Sequence, residues 1–343
     1  MRFDTPVHLS APVLVLGEHA QPVADAVAGL LIDEENAERY AYTALRTSAL
    51  APVRLAALAA VKSLESSGVS PERIGQLLHA WTYHQGHEFW SPAHYLAQQT
   101  GAVAAEPVGI QQMCNGGAAA IVQAGCRLLA SPAAGPALVT TADCFPQPGF
   151  DRWGGDYGVC YGDGATSVLV DRAPHGRSVR LLSAATVAAP VLEGMHRGDA
   201  PFSPAPTSGF KPLLPKLAKK EFLTANPTLP FGPIAHDAVT TVVARALRDA
   251  GVAADDERLR AAALPRLARH VMAEAYEPAF REVCAAPIVQ LGADTGHLGA
   301  GDAVANLSDL LARDDVRPGD LLVLLSAGAG FTWSAVIVEV NRP

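Results

Sequence analysis

The chain has 343 residues, of which 49% are hydrophobic and 17% are charged, and its formal net charge is −8. This balance excludes a mainly disordered chain, because disordered chains are poor in apolar residues and rich in charge. The acidic excess excludes the basic footprint of a nucleic-acid-binding protein, and the length predicts about two domains.

The five cysteines are odd in number and show neither a C-x-x-C pair nor a Cys/His cluster with zinc-site spacing. These features argue against a disulfide framework and a structural zinc, so a reduced, cytoplasmic protein is expected. The longest apolar stretch, residues 321–331, is too short to cross a bilayer, and no membrane partner is expected. The low charged fraction indicates that much surface is covered, for example in a subunit interface.

Strand and helix patterns alternate through the first half of the chain. The predicted elements are a strand at 11–16, a helix at 52–66, a strand within 74–83, a helix at 94–100, a strand at 107–112, a helix at 115–129, and strands at 136–142 and 164–171. The helix at 115–129 is rich in alanine and nearly uncharged, which predicts burial on all sides.

The turn-rich segment 172–177 marks the predicted boundary between a first half, 1–174, and a second half, 175–343. The elements predicted in the second half are a strand at 178–188, a helix at 234–250, one or two helices in 265–286 broken at Pro278, a strand at 288–291, a helix at 302–311, and strands at 321–326 and 334–340. The proline-containing residues 190–233 are predicted as a long insertion or lid without regular structure. Alternation in both halves indicates a layered α/β fold.

Cys114 is the sharpest chemical signal in the sequence. The segment PVGIQQMCNGGAAAI predicts a strand, then the cysteine, then two glycines and a buried helix. A thiol at a helix N-terminus faces unpaired N–H groups and the positive end of the helix dipole, which favours the nucleophilic thiolate. A buried structural cysteine beside a tight turn is an equally good interpretation of the pattern alone.

The second signal is the glycine-rich loop LGADTGHLGAGD, which contains His297. Its glycine spacing does not fit the dinucleotide-binding pattern G-x-G-x-x-G. His297 is a candidate general base, and Asp302 is a candidate to orient its ring. From position alone, a helix N-cap role for Asp302 is at least as good an explanation.

Three further segments carry weaker signals. In the turn YGDG, Asp163 is expected to bind turn amides and not to act in catalysis. Near the C-terminus, Gly328 and Gly330 permit an irregular backbone that can supply an oxyanion-binding N–H, although a plain turn also explains them. The lysine pairs around Lys219 predict a solvated basic face, or a site that attracts CoA phosphates or an acidic carrier protein.

Taken together, the segments resemble the thiolase superfamily, specifically β-ketoacyl-ACP synthase III and its relatives. QQMCNGG is similar to the nucleophile turn of that family, GDGATS to its Gly-Asp-Gly-Ala segment, and RPGDLLVLLSAGAGFTW to its C-terminal strand and glycine loop. The resemblance implies a thiolase-like αβαβα five-layer fold from two similar halves, in a homodimer. It also implies acyl transfer from CoA or acyl-carrier protein onto Cys114, with the backbone N–H groups of Cys114 and Ala329 holding the thioester oxygen.

The sequence departs from the family pattern at two catalytic positions. The family uses Cys, His and Asn, but LPRLARH puts Arg266 at the expected His, and His297 stands where an Asn follows a glycine. Arg266 and Phe331 are expected to contact the substrate. Condensation by decarboxylation needs two donors for the enolate oxygen, whereas acyl transfer needs a thiolate, an oxyanion hole and one base.

The resemblance and its departures favour an acyltransferase of natural-product (polyketide) biosynthesis with Cys114 as nucleophile, His297 as general base and Asp302 as the residue that orients it. The acyl group, for example a malonyl or starter unit, moves to a small-molecule hydroxyl or to a second carrier. No cofactor or metal is expected, since the CoA or phosphopantetheine thioester is the substrate. The alternatives are a condensing β-ketoacyl-ACP synthase III and a non-catalytic subunit of a heterodimer.

Overall fold

The computed structural model describes residues 1–131, 133–199, 201–204 and 213–342. The strands are β1 His8–Leu16, β2 His19–Pro22, β3 Ala44–Thr47, β4 Gln76–Ala80, β5 Glu106–Ile110, β6 Ala137–Asp143, β7 Gly164–Asp171, β8 Ser178–Ala188, β9 Leu259–Ala263, β10 Ile288–Val289, β11 Leu321–Gly328 and β12 Thr332–Val340. The α-helices are α1 Val23–Ala28, α2 Glu34–Tyr40, α3 Pro52–Ser67, α4 Pro92–Thr100, α5 Gly116–Ala130, α6 Pro215–Ala225, α7 Phe231–Ala250, α8 Arg269–Val271, α9 Glu277–Arg281 and α10 Asp302–Ala312.

Ten strands fall into two groups of five with the same order and the same directions. In the first group, β1, β7 and β6 are antiparallel neighbours, and β6, β4 and β5 are parallel. In the second group, β8, β12 and β11 repeat the antiparallel part, and β11, β9 and β10 repeat the parallel part. The groups join where β1 pairs with β8 over residues 8–10. This repeat confirms the expectation of two similar α/β halves.

Helices form three layers around the two groups of strands. Helices α3 and α4 share a core with the outer face of the first group, and α7 and α9 share one with the outer face of the second group. Helices α5 and α10 lie between the groups, in a core that includes strands of both. Burial of these three apolar cores drives the layers together, and the result is the αβαβα fold that the family resemblance implied.

Close packing at the start of α5 determines where the candidate site forms. A Cβ added to Gly117 would lie 2.5 Å from the main-chain oxygen of Ala300, a distance that side-chain-bearing residues do not reach. The glycine therefore lets the loop before α10 rest directly on the first turn of α5. Helix α5 thus carries its N-terminus into the centre of the molecule. The prediction of burial on all sides is wrong for the rest of the helix, where Gln123, Leu129 and Ala130 are exposed.

The prediction that residues 190–233 lack regular structure is wrong for most of the described part. A 3-10 helix spans Pro190–His196, α6 spans Pro215–Ala225, and α7 begins at Phe231. Two of the prolines that suggested a loop, Pro190 and Pro215, stand in the first turns of the 3-10 helix and α6, where their missing N–H costs nothing. Residues 200 and 205–212 of this stretch lie outside the described residues.

Other segments also differ from the prediction. Pro278 does not break the helix at 265–286, because it lies in the first turn of α9, directly after a π-helical turn at Met272–Tyr276. The sequence patterns did not predict α1, α2, β2, β3 or β9. The link between β7 and β8 covers residues 172–177, and a domain boundary there stays a prediction. No helix in the described ranges has the length and apolar character needed to cross a membrane.

Candidate active site

Cys114 lies in the turn between β5 and α5, two residues before the first residue of the helix. Its side chain is partly buried and lines a cavity of about 600 Å³. Met113 before it has φ of +48°, a left-handed conformation that residues with a side chain rarely adopt. Such backbone strain persists only where the surrounding structure holds it in place.

Two contacts hold the Cys114 turn against the C-terminal strands. The Asn115 side-chain Nδ2 donates to Gln112 Oε1 at 2.7 Å and to Ser334 Oγ at 2.9 Å. Gly328 packs on the same turn, and a Cβ there would lie 2.6 Å from the Asn115 nitrogen. This packing brings Ala329 into the same cavity wall as Cys114, which is the arrangement that a shared oxyanion site needs.

The position of His297 is fixed through its backbone and its ring. The His297 N–H donates to the Cys160 carbonyl, and the His297 carbonyl accepts from the Gly162 N–H, both at 2.9 Å. The ring Nδ1 lies 2.6 Å from Asp302 Oδ2. Because Nδ1 is engaged with the carboxylate, Nε2 is the nitrogen that can face Cys114 and a substrate.

Asp302 is buried and directs both carboxylate oxygens at the loop that carries His297. Oδ2 also accepts from the Arg266 main-chain N–H at 2.8 Å, and Oδ1 accepts from the Leu298 N–H at 2.9 Å. The residue at the N-cap of α10 is Gly301, and no side chain caps this helix. The carboxylate therefore orients the His297 loop and does not act as an N-cap.

The charges in this group of residues stabilise one another. Burial alone would lower the pKa of His297, but the Asp302 carboxylate and Cys114 beside it raise that pKa well above its ordinary value. Burial alone would raise the pKa of Asp302, but His297 and the Arg266 N–H hold it below the usual range. The Asp302 carboxylate thus favours the positively charged form of the His297 imidazole.

The structure corrects the expectation that Arg266 contacts the substrate. The buried guanidinium points away from the cavity and donates to Asn306 Oδ1, Thr295 Oγ1 and Asp309 Oδ2. Arg266 is absent from the described residues that line the cavity, whereas Phe331 lines it. Arg266 therefore supports Asp302 from behind, and a substrate contact by Phe331 stays a prediction.

Asp143 is a buried carboxylate that the sequence reasoning missed. It ends β6, and it accepts N–H groups of Thr82, Tyr83 and Ala300 at 2.8–2.9 Å. Burial raises the pKa of Asp143 to about 6 despite these three contacts. An acidic residue at the end of a buried strand was the available signal. Asp143 ties the His297 loop to the segment after β4.

The other acidic and basic candidates lie where their charges are paired. Asp163 accepts N–H groups of Ser48 and Phe145 and binds Arg152, which agrees with the structural interpretation. Lys219 is nearly buried and lies 2.5 Å from Asp156, so the expectation of a solvated basic face is wrong there. Among the residues that the structure describes, no group of His, Cys, Asp and Glu is arranged to hold a metal ion.

The cavity in front of Cys114 and His297 is walled mainly by apolar groups. Its aromatic members are Tyr83, Phe145, Phe150, Tyr157, Tyr161, Phe231, Tyr276 and Phe331. The Tyr161 ring packs edge-on against His297, with ring centroids 5.5 Å apart. A volume of this size fits an organic ligand of moderate size.

Comparison with known proteins identifies the family. Residues 280–340 match the C-terminal region of 3-oxoacyl-[acyl-carrier-protein (ACP)] synthase III. The solved structure of ChlB3, an acyltransferase, shares 31% identity over 98% of both chains, with a TM-score of 0.88. The 3-oxoacyl-(acyl carrier protein) synthase III FabH of Pseudomonas aeruginosa PAO1 shares 20% identity over 98% of this chain and 99% of that chain, with a TM-score of 0.76. AbyA1, a tetronic acid condensing enzyme, shares 20% identity over 97% of this chain and 99% of that one, with a TM-score of 0.75.

A search of curated proteins finds no match to this chain. The similarity to ChlB3 nevertheless extends over nearly the whole of both chains, and the FabH and AbyA1 structures share the fold. The chain belongs to the ketosynthase III-like enzymes of the thiolase superfamily.

Proposed function

We propose that this enzyme is an acyltransferase of secondary metabolism, in polyketide or antibiotic biosynthesis. It moves an acyl group from CoA or an acyl-carrier protein, through a thioester on Cys114, to a hydroxyl group or a second carrier. The observation that carries the proposal is the placement of His297, bound to Asp302 at 2.6 Å, beside Cys114 on one cavity. The similarity to ChlB3, which is named as an acyltransferase, supports it.

In the first half-reaction the Cys114 sulfur attacks the carbonyl carbon of the donor thioester. The new sulfur–carbon bond gives a tetrahedral oxyanion, which the N–H groups of Cys114 and Ala329 bind. The donor carbon–sulfur bond then breaks, and the leaving thiolate takes the proton of the His297 imidazolium. The products are a free thiol, acyl-Cys114 and a neutral His297.

In the second half-reaction the acceptor enters and His297 Nε2 takes the proton of its hydroxyl or thiol. The acceptor atom attacks the acyl-Cys114 carbonyl, and the Cys114 carbon–sulfur bond breaks. The acyl group leaves on the acceptor, and the Cys114 thiolate again faces a protonated His297. Asp302 stabilises the imidazolium and fixes its orientation throughout, as the carboxylate of a catalytic triad does.

Acyl transfer fits this site better than decarboxylative condensation. Condensation needs two donors on the enolate oxygen, and the family resemblance puts one of them at position 266. The Arg266 guanidinium instead binds Thr295, Asn306 and Asp309 outside the cavity. His297 then remains as a donor beside the Cys114 sulfur. We further propose that the enzyme works as a homodimer and without a cofactor.

Intact-protein mass spectrometry with acyl thioesters as donors tests this function. We expect the wild-type mass to increase by one acyl group, and we expect no increase for Cys114→Ala. Cys126→Ala is the matched control, because Cys126 is also partly exposed but lies on α5 away from the cavity lining. The absence of an adduct on the wild type, or an undiminished adduct on Cys114→Ala, would contradict the proposal.

A further inference from the structure

A second polar cluster lies in the wall of the cavity, next to the candidate catalytic residues. Asp156 is buried, and its Oδ1 lies 2.5 Å from the Lys219 Nζ. Its Oδ2 accepts from the Tyr161 hydroxyl at 2.8 Å. Asp156, Lys219 and Tyr161 all line the cavity, as does His196. A paired charge and two further polar groups are unusual in a wall that is mainly apolar.

His196 has hydrogen-bonding capacity that the described residues do not use. Its Nδ1 is covered by protein and has no hydrogen-bond partner among them. Because Nδ1 is covered, Nε2 is the nitrogen through which the ring can meet a ligand in the cavity. Burial and the charge of Lys219 lower the pKa of His196 to about 4, so the ring is neutral and can either donate or accept at Nε2.

The charges in the cavity wall are balanced. The Lys219 ammonium is paired with the Asp156 carboxylate, and Arg197 is paired with Glu193 at 2.7 Å. Within the described lining, no cation outside the catalytic group therefore lacks a carboxylate. A carboxylate on the acyl group would have to give up its hydration without gaining an unpaired cation, which is costly in an apolar cavity. A neutral polar group meets no such penalty.

Tyr161 connects this cluster to the candidate catalytic residues. Its ring packs against His297 at 5.5 Å between centroids, and its hydroxyl reaches Asp156. The cluster thus begins one aromatic ring away from His297. On the other side, the His196 ring lies 5.5 Å from the Phe331 ring, next to the C-terminal glycine loop. Cys114 and the cluster line the same cavity, so an acyl group on Cys114 that fills this cavity would contact the cluster.

We infer that Lys219 and His196 form a recognition site for a neutral hydroxyl group on a bulky acyl substrate. The inference rests on the proposed acyl transfer and names its substrate class. The hydroxyl oxygen accepts from the Lys219 ammonium while its proton is donated to His196 Nε2, and Asp156 holds Lys219 in place. A malonyl group fits this cavity poorly, because it is small and carries a negative charge.

The test measures the second-order rate constant of Cys114 acylation for a set of rigid thioesters. The set contains N-acetylcysteamine thioesters of benzoate, the three monohydroxybenzoates and the three benzenedicarboxylic acids. One hydroxyl isomer should react about tenfold faster than benzoyl, since one hydrogen bond to a charged partner is at stake. The carboxylate analogues should react more slowly than benzoyl.

Two variants and one control assign the preference to the cluster. His196→Phe should reduce the ratio of the hydroxybenzoyl rate to the benzoyl rate to about one, and so should the double variant Lys219→Met/Asp156→Asn. The double variant removes both charges of the pair, so that neither charge is left buried without a partner. Lys220→Met alters an exposed lysine on the same helix and should keep the wild-type ratio.

The outcomes separate the two proposals. The recognition site is refuted, and acyl transfer stands, if acyl-Cys114 forms with any one of three results. These results are that no hydroxyl isomer is preferred, that a carboxylate analogue is preferred, or that the hydroxyl preference survives in both variants. If none of the thioesters acylates Cys114, the proposed function fails, and the recognition site fails with it.

Discussion

Replacing Asp302 with asparagine removes the negative charge behind His297 and leaves the size of the side chain unchanged. The carboxylate contacts His297 Nδ1 at 2.6 Å, the Arg266 N–H at 2.8 Å and the Leu298 N–H at 2.9 Å. The single oxygen of the asparagine side chain can retain only some of these three contacts, and the amide NH₂ would then face an N–H group, which is also a donor. We expect a folded protein whose His297 ring is less well oriented.

The structure sets the expected size of the effect. The contact with His297 is a hydrogen bond between charged groups, which contributes about 1.5–3 kcal/mol. Its loss corresponds to a decrease of about 10- to 150-fold in the rate of Cys114 acylation. The pH dependence should change as well. In the wild type Asp302 helps to raise the pKa of His297 against the effect of burial. In the variant the effect of burial remains, so the imidazolium is lost at a lower pH.

Acylation requires the imidazolium proton for the leaving thiolate, so its rate is maintained below the pKa of His297 and falls above it. Single-turnover acylation, followed by intact mass from neutral to alkaline pH, measures the rate and the pH at which it halves. That pH should be lower for Asp302→Asn than for the wild type. Asp309→Asn removes a carboxylate that contacts Arg266 from the far side and should leave the midpoint unchanged. An identical pH midpoint for Asp302→Asn and the wild type would refute the reasoning.

Three other substitutions test the packing around the site. Gly328→Ala would place a Cβ 2.6 Å from the Asn115 nitrogen and should slow acylation about 100-fold by displacing the nucleophile; Gly232→Ala, where the Cβ meets nothing within 4 Å, should not. Burial lowers the pKa of His79 from 6.5 to about 4, so the free energy of unfolding should fall by roughly 3 kcal/mol as the pH drops through this window. In His79→Gln this decrease at low pH should be absent, as measured by the free energy of unfolding from urea titrations at several pH values. A pH dependence equal to that of the wild type would contradict the assignment. Asp143→Ala leaves three main-chain N–H groups without an acceptor and should lower the free energy of unfolding by roughly 3 kcal/mol; a loss below measurement error would count against its structural role.

The sequence predicted the elements that carry long apolar patterns. The helix at 115–129 and the strands at 164–171 and 178–188 occur at those places, or within a residue or so of them, because an uninterrupted apolar run has few other ways to bury its surface. The 3-10 helix and α6 in the segment 190–233 were missed, because proline in a first helical turn resembles proline in a loop when only the sequence is read. Strand β9, with the sequence LRAAA, was missed because alanine does not favour a strand.

The candidate site shows a similar limit. Cys114 and His297 are marked by glycines that the backbone needs at those points, and Asp302 follows His297 closely in the chain. The side-chain direction of Arg266 depends on Asn306 and Asp309, which are some forty residues away in sequence. The pair formed by Lys219 and Asp156 joins residues separated by 63 positions. No local pattern reports such contacts.

The most direct test of acyl transfer without condensation starts from isolated acyl-Cys114 enzyme. This intermediate is mixed in one experiment with a malonyl thioester and in another with hydroxyl and carrier-thiol acceptors. We predict that the malonyl thioester releases no carbon dioxide, whereas an acceptor removes the acyl group from Cys114 as an ester or a new thioester. Release of carbon dioxide together with a β-ketoacyl product would contradict the central claim and would show that this site forms carbon–carbon bonds.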